Sequence, residues 1–265
     1  MKQIFRSHWM FSLLLGLSTL SASAHDQNCR QAAATIRASA LQNNADAFVY
    51  LLVGPPNAGK GTAGKPFAKE LGIPYQSTGD ALRAVIDSGS DLGKKIEPIM
   101  RAGRNIDTAD LMPVLKQWLG SLDPKKGFIL DGSPRKLNEA KDLEKMIMAR
   151  GWKGIRVIYF EVSEDVVFER AAGRRICSSK ICGQSYHDRF LVPQTAGLCD
   201  LCGSFLKRRS DDESPEIVRQ RLETFEIETR PVLDYFESKS MLIRLNANAS
   251  QGSVLEEIWR ALLRP

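Results

Sequence analysis

The sequence predicts an α/β fold with helices on both faces of a sheet, and three observations lead to this class. Five short runs rich in β-forming residues recur along the chain. The stronger runs are continuously apolar rather than alternating, which is typical of strands buried on both faces of a parallel sheet. Helical patterns lie between the runs, so strand and helix alternate as they do in α/β proteins. The five runs occupy residues 47–53, 74–77, 127–131, 155–162 and 241–245.

The helical patterns carry their own end signals. Residues 139–150 and 215–236 show the spacing of helices, and Ser214 is placed to cap the second of them. Pro215 then falls in the first turn, where its missing N–H costs nothing. A segment from Cys177 to about Asp212 contains cysteines and glycines and interrupts the alternation. We therefore predict that this segment forms a lobe inserted into the α/β domain.

The stretch "LLVGPPNAGKGT" follows the first run and nearly spells the phosphate-binding pattern G-x-x-x-x-G-K-[ST]. A strand, a glycine-rich loop and a helix start are the context that this pattern requires. Backbone N–H groups from Asn57 to Thr62 would face phosphates at the helix N-terminus, and Lys60 would reach the outer phosphates. The position after Lys60 is Gly61, however, and the hydroxyl arrives one residue late at Thr62.

Four further motifs follow the loop in order: "GIPYQSTGDALR", "GFILDGSPR", "ERAAGRRIC" and "YHDRF…GLCDLCG…RRSDD". Together with the loop, they resemble the adenylate kinase family over residues 47–262. That family's loop normally reads G-K-G-T, so Gly61 and Thr62 match its own variant. The resemblance implies a five-stranded parallel core with two mobile lobes. Residues of about 77–106 would bind a nucleoside monophosphate, and residues of about 174–212 would form a cysteine-bearing lid over the triphosphate.

The activity implied by the resemblance is phosphoryl transfer from MgATP to AMP, which brings several negative charges together. Positioning and cationic stabilisation then supply most of the catalysis. Arginine suits this role because its planar fork pairs with two phosphate oxygens at once. By resemblance, Arg83 and Arg135 hold the acceptor phosphate, Arg170 and Arg174 meet the donor, and Arg209 and Arg221 come from the lid side.

Asp131 ends an apolar run, where a carboxylate can orient the water shell of Mg²⁺. With Lys60 and the six arginines, it completes the expected catalytic set. The resemblance also implies the nucleotide contacts. For ATP these are Asn57, Ala58, Gly59, Lys60, Gly61, Thr62, Arg170, Arg174, Ser185 and Tyr186. For AMP they are Thr78, Arg83, Ile106, Gly132, Arg135, Glu139, Arg209 and Arg221.

Four cysteines in the lid segment read C-x4-C-x16-C-x2-C: Cys177, Cys182, Cys199 and Cys202. Long-lid members of the family commonly carry C-x2-C-x16-C-x2-C and bind a structural zinc there, so the first pair is two residues wider here. Four thiolates form a closed tetrahedral zinc site that stabilises a fold. In an oxidising compartment the same thiols could instead form two disulfides. Cys29 is left over, either free or paired between chains.

Three departures from the family pattern lie on the acceptor side. Glu139 stands where the family usually has a Gln that reads the adenine of AMP, and a carboxylate cannot donate to a ring nitrogen. Ser133 replaces the usual Phe, and "GRNID" (103–107) replaces a hydrophobic contact. Thr78 matches the residue associated with adenine. A kinase for another nucleoside monophosphate is therefore the second hypothesis.

The N-terminus has the pattern of a cleavable signal peptide. A basic start precedes the apolar run "WMFSLLLGLSTL", and Ala22-x-Ala24 provides a cleavage site. The run is shorter than the roughly 20 residues that span a bilayer, although an uncleaved anchor is the alternative. We expect residues 1–24 to be removed, residues 25–46 to form a polar leader, and the protein to be periplasmic or secreted.

The composition of the chain indicates which classes of partner it binds. The chain has 265 residues and 43% hydrophobic residues, which is typical of a globular protein, and its mild net charge of +6 suits an anionic ligand. Basic runs and basic–aromatic alternation are lacking, so we predict no nucleic-acid partner. The expected partners are ATP, AMP and ADP, with no membrane contact after cleavage and a monomeric state. A secreted nucleotide-binding protein without turnover is the third hypothesis.

Overall fold

The computed structural model describes residues 47–262 except residues 180, 181, 210, 211 and 213. The predicted signal peptide, the leader and Cys29 lie outside the described residues. None of the helices in this described part is both long and apolar enough to cross a bilayer. The strands are β1 Phe48–Val53, β2 Tyr75–Ser77, β3 Phe128–Asp131, β4 Gly154–Glu161, β5 Arg174–Cys177, β6 Ser185–His187, β7 Leu206–Lys207 and β8 Leu242–Asn246. The helices are α1 Lys60–Leu71, α2 Thr78–Asp87, α3 Asp91–Arg101, α4 Thr108–Gly120, α5 Leu137–Ala149, α6 Glu164–Gly173, α7 Pro215–Thr224, α8 Arg230–Glu237 and α9 Gln251–Leu262.

A five-stranded sheet forms the centre of the domain, with strand order β2-β3-β1-β4-β8 and parallel pairing throughout. Its strands are the five runs predicted from the sequence, with ends that differ by one residue. The predicted α/β class is therefore confirmed. Because all five strands point the same way, the loops after β1 and β3 open at the same edge of the sheet.

Helices cover both faces of the sheet. Val49 and Leu51 of β1 face one apolar cluster, which the side chains of α4, α5 and α8 complete. Tyr50 and Leu52 face a second cluster, built with α1 and α9. Both clusters consist of buried side chains, so β1 is covered on its two faces as its continuous apolar sequence predicts.

Two segments project from this core. Helices α2 and α3 follow β2 and pack against each other, and they occupy the region expected to bind a monophosphate. Between α6 and α7, the chain forms a separate antiparallel sheet with order β6-β5-β7. This second sheet has its own small cluster around Cys177, Tyr186 and Cys199.

The helix predicted over residues 215–236 begins as expected and contains a π-helical turn. The Ser214 side chain accepts a hydrogen bond from the Ile217 N–H, and Pro215 occupies the first turn. A π-helical turn, Phe225–Thr229, then separates α7 from α8. The cause is Pro231, which has no N–H to donate to the carbonyl four residues earlier. The segment is therefore helical over the predicted range, with one π-helical turn inside it.

Helix α1 contains Pro66, yet it continues to Leu71. It also lies unusually close to the sheet, and Gly64 makes that approach possible. A Cβ added at Gly64 would lie 2.5 Å from Leu52 Cδ1 and 3.1 Å from Tyr75 Cε2.

We expect Gly64→Ala to destabilise the protein by about 1–3 kcal/mol, because the added methyl overpacks a buried contact. The matched control is Gly120→Ala in α4, where an added Cβ meets nothing within 4 Å. That substitution should be neutral or stabilise by roughly 0.5–1 kcal/mol through reduced unfolded-state entropy. Chemical denaturation of the two variants makes the comparison, and equal stabilities would contradict this account of the helix–sheet contact.

Candidate active site

The loop between β1 and α1 wraps around the side chain of Lys60. Gly59 adopts φ 90°, and Asn57 adopts φ 58°, a left-handed conformation that asparagine tolerates better than most residues. The Lys60 ammonium donates hydrogen bonds to the carbonyls of Gly54, at 2.8 Å, and Pro55, at 2.7 Å. The lysine tip is therefore held at the mouth of the loop, where the sequence pattern expects phosphates.

The Lys60 ammonium sits in an environment that disfavours its charge. Burial, together with the nearby guanidinium groups of Arg135, Arg221 and Arg174, lowers its pKa to about 7 against the opposing effect of Asp131. Four charges from three separate segments of the chain thus act on one ammonium. An anion placed among them would stabilise the protonated form.

Asp212 joins two of these arginines to the loop. Its carboxylate accepts hydrogen bonds from Arg174 Nε at 2.6 Å, Arg221 Nη1 at 3.2 Å and Asn57 Nδ2 at 3.3 Å. Asp212 is 1% exposed, so its charge is compensated almost entirely by these donors. Burial together with the charge of Arg209 lowers the pKa of Arg174 to about 9. Asp212 therefore supplies negative charge that this group of cations needs.

Asp131 lies on the other side of Lys60, at the end of β3. Its Oδ2 accepts a hydrogen bond of 2.6 Å from the Tyr75 hydroxyl, and burial and Asp131 together raise the pKa of Tyr75. A Cβ at Gly61 would lie 3.3 Å from both Asp131 Oδ2 and the Tyr75 hydroxyl. The position after Lys60 therefore has little room for a side chain, which accounts for a glycine there.

The loop after β3 carries Arg135 to the same cleft. Arg135 Nε donates to the Gly132 carbonyl at 2.7 Å, and Arg135 Nη1 lies 3.3 Å from Asn105 Oδ1. The Thr229 hydroxyl, in the π-helical turn, donates to the Arg135 carbonyl at 2.9 Å. The cleft between this loop and the Lys60 loop is lined by residues that include Gly54, Pro56, Lys60, Gly103, Asn105, Gly132, Arg135, Arg221 and Thr229.

The structure thus brings together six of the eight residues predicted to act in catalysis. They are Lys60, Asp131, Arg135, Arg174, Arg209 and Arg221. Arg83 lies beside them in α2, where it pairs with Asp80, and the charges of both Arg83 and Arg209 lower the pKa of Asp80. Arg170 lies apart.

Arg170 braces the phosphate-binding loop from outside. Its guanidinium donates to the carbonyls of Ala58 at 3.1 Å, Ala247 at 2.8 Å and Ala249 at 3.1 Å. These bonds connect the loop to the turn after β8. In this conformation Arg170 supports the loop and contacts none of the other predicted cations.

Two of the predicted ATP contacts belong to the antiparallel sheet. Ser185 is half-buried, and the side chain of Tyr186 is buried inside the lid. The Tyr186 hydroxyl accepts from the Asp200 N–H at 2.7 Å and lies 3.5 Å from Cys199 Sγ. The Tyr186 ring therefore stabilises the lid and does not point towards the group of cations.

The acceptor-side residues fall into two groups. Thr78 and Ile106 are buried, and the Thr78 hydroxyl finds no hydrogen-bond partner among the residues that the structure describes. Glu139 is also buried, but both of its carboxylate oxygens are engaged: they accept from the Ser133 hydroxyl and, at 2.9 Å, from the Arg135 N–H. Burial raises the pKa of Glu139.

The four lid cysteines lie at one point of the antiparallel sheet. Their sulfur atoms are all within 4.8 Å of one another, and the closest contacts are Cys177–Cys202 at 3.4 Å and Cys182–Cys199 at 3.6 Å. A tetrahedron with Zn–S bonds of about 2.3 Å has sulfur atoms about 3.8 Å apart. A disulfide requires about 2.05 Å. The sulfur spacing is therefore compatible with a four-thiolate metal site.

Comparisons with known proteins agree with this geometry. The family model for adenylate kinase matches residues 52–241. The chain belongs to the adenylate kinase family. An adenylate kinase of Caldanaerobacter subterraneus subsp. tengcongensis is 39% identical over 213 residues, which cover 80% of this chain and 95% of the relative. Adenylate kinases of Thermosipho melanesiensis and Treponema denticola are each 40% identical, over 81% and 77% of this chain and 99% and 94% of the relatives.

Within this adenylate kinase framework, the structure adds residues that the sequence did not indicate. Tyr75 holds the Asp131 carboxylate, and Asn105 contacts Arg135. Asn105 also donates to Glu228 Oε2 at 3.0 Å. Each contact joins segments that are distant in the chain, so no local pattern predicts it. The one available signal was the polar residue of "GRNID" at a position that the family pattern makes hydrophobic.

Proposed function

We propose that this protein catalyses MgATP + AMP ⇌ 2 ADP by direct in-line phosphoryl transfer. The observation that supports this most strongly is the convergence of Lys60, Arg135, Arg174 and Arg221 with Asp131 around one cleft. The relatives that are 39–40% identical to this chain carry the name adenylate kinase. Both nucleotide sites are built from one chain, so a monomer is sufficient for the reaction.

The arrangement fits the charge distribution of phosphoryl transfer. The transition state spreads negative charge over the equatorial oxygens of the transferred group, and a covalent intermediate is unnecessary. In this mechanism Lys60 pairs with the outer phosphates of ATP, while Arg135 holds the acceptor phosphate. Arg174 and Arg221 then release the Asp212 carboxylate and bind phosphate oxygens instead. The bidentate fork of each guanidinium fixes the approach of the two nucleotides.

Mg²⁺ would be held on the Asp131 side of the cleft. The carboxylate oxygen that accepts from Tyr75 is a hard ligand of the type that this ion prefers, and it can also orient the ion's water shell. When bound, Mg²⁺ neutralises part of the polyphosphate charge. Tyr75 fixes the rotamer of Asp131, and Gly61 leaves the space beside the carboxylate open.

The acceptor base is proposed to be adenine. Thr78 supports this assignment, because its buried hydroxyl has no partner among the described residues and is available to a ligand. A second candidate is another nucleoside monophosphate, favoured by the polar Asn105 on the cleft wall.

A coupled transfer assay of residues 25–265 with ATP and a panel of monophosphates decides between the two candidates. AMP as the best acceptor supports adenine, and another acceptor supports the alternative. No ADP with any acceptor would refute the kinase and favour a binding protein without turnover.

We also propose that the lid cysteines hold a structural zinc. The sulfur spacing supports it, and the site would be closed, since four protein thiolates complete a tetrahedron. The two-residue widening between Cys177 and Cys182 is absorbed without separating their sulfur atoms from the other pair. Zinc at this position would stabilise the lid and take no part in the chemistry.

Export to the periplasm or the medium is proposed on the sequence of residues 1–24 alone. A polar leader over residues 25–46 would then precede the kinase domain. Mass analysis of the protein secreted or released from the periplasm tests this: a mature chain beginning at His25 is expected, and an intact Met1 in the cytoplasm would contradict it.

Lys60→Ala and Arg135→Ala should each lower the turnover number by at least about a hundredfold, which corresponds to about 2.7 kcal/mol of barrier. The reason is that each removes a cation from the reacting phosphates. Arg101→Ala, which removes an exposed arginine that pairs with Glu97, is the matched control and should retain normal turnover. Steady-state rates of the three variants make the comparison, and near-normal rates in Lys60→Ala and Arg135→Ala would show that the site is elsewhere.

Purified protein should contain about one zinc per chain, and a strong chelator should lower its thermal midpoint because the lid sheet loses its cross-link. Cys199→Ser should reduce the zinc content sharply. Cys29→Ser is the matched control and should leave it unchanged. Elemental analysis together with thiol titration checks this, and two disulfides without metal would be the contrary result.

A further inference from the structure

Glu139 occupies a position where the family pattern places a base-reading glutamine, but its carboxylate does not line the cleft. It is 2% exposed, and Ser133, which donates to it, is 0% exposed. Its second oxygen accepts from the Arg135 N–H. Both oxygens are thus committed to the chain itself.

We propose that Glu139 is a positioning residue that fixes the Arg135 loop, and that it does not contact the acceptor base. This inference rests on the proposed kinase function. Glu139 is the third residue of α5, and the third residue of a helix is where a Glu or Gln side chain commonly reaches back to cap backbone N–H groups. Here the Glu139 carboxylate caps the Arg135 N–H, so the start of α5 and the phosphate-binding arginine are held in a fixed arrangement.

The neighbouring contacts agree with a structural task for this turn. The Glu139 N–H donates to Asn138 Oδ1 at 3.0 Å, and the Thr108 hydroxyl donates to the same atom at 3.1 Å. The start of α5 is thereby tied to the start of α4. From the opposite side, Thr229 holds the Arg135 carbonyl. The Arg135 loop is therefore fixed at its N–H and at its carbonyl.

Ser133 explains why Glu139 turns inward in this chain. Its buried hydroxyl donates to the carboxylate, whereas the phenylalanine of the family pattern has no donor to offer. The serine and the glutamate form a matched pair, and a buried carboxylate without such donors would be costly.

The two roles predict different kinetics. Arg135 contacts the phosphate, which all nucleoside monophosphates share, whereas a base reader contacts the part in which they differ. A positioning residue therefore affects every acceptor by the same factor. A base reader changes the ratio between acceptors.

The experiment measures kcat/KM for AMP, GMP, CMP and UMP at saturating MgATP in three variants. We expect Glu139→Ala to lower all four values by a common factor of about tenfold, because the arginine is displaced. Glu139→Gln should recover most of this loss, since glutamine can accept from the Arg135 N–H and donate to Ser133. Its AMP:GMP ratio should stay within about twofold of the wild-type ratio. Glu144→Gln, the same change on the same helix but beside Tyr235 and Lys239, is the matched control.

A change of more than about fivefold in the AMP:GMP ratio of Glu139→Ala would overturn the inference, because removing a base reader changes this ratio. If Glu139→Ala fails to fold, Glu139→Asp, which keeps the carboxylate but shortens its reach, takes its place: an unchanged ratio supports a positioning residue and a changed ratio a base reader. The proposed function is tested separately by the wild type: a wild-type protein that transfers phosphate to none of the four acceptors refutes the kinase itself.

Discussion

Repulsion between like charges is the constraint on which this structure depends. Lys60, Arg135, Arg174, Arg209 and Arg221 converge on one region, where neighbouring guanidinium groups lower the pKa of Lys60 and of Arg174. Asp131 and Asp212 offset part of that repulsion within the chain itself. A polyphosphate can offset the rest, so the repulsion built into the fold is relieved when the substrates bind. The same set of side chains therefore affects the stability of the fold, the affinity for nucleotides and the rate of phosphoryl transfer.

The parallel sheet makes such a collection feasible. Because β1 and β3 are neighbours and point the same way, the Lys60 loop, Asp131 and the Arg135 loop emerge at one edge. The lid and α7 then bring Arg174 and Arg221 over that edge, with Asp212 between them. Lys60, Asp131 and Arg135 are therefore positioned by the central sheet, whereas Arg174 comes from the antiparallel sheet of the lid.

The sequence predicted the strands and the phosphate loop well, because both depend on local patterns. Continuous apolar runs located β1 and β4, and the spacing of glycines around Lys60 located the loop. Prediction from the sequence failed for contacts between segments that are distant in the chain. The bond between Tyr75 and Asp131 requires the order β2-β3, which no periodicity encodes. The contact of the Tyr186 hydroxyl with Cys199 and Asp200 likewise joins β6 to a later segment, which no local pattern indicates.

The most direct test of the cation cluster is proton uptake on MgATP binding at pH 8, measured by calorimetry in two buffers of different ionisation enthalpy. Lys60, with a pKa of about 7, is mostly neutral at this pH without ligand, and polyphosphate should restore its charge. We predict an uptake of about one proton per site at pH 8 and much less at pH 6. Lys60→Arg, which stays charged, should bind without this uptake. Binding of MgATP to the wild type at pH 8 with no proton uptake would contradict the account.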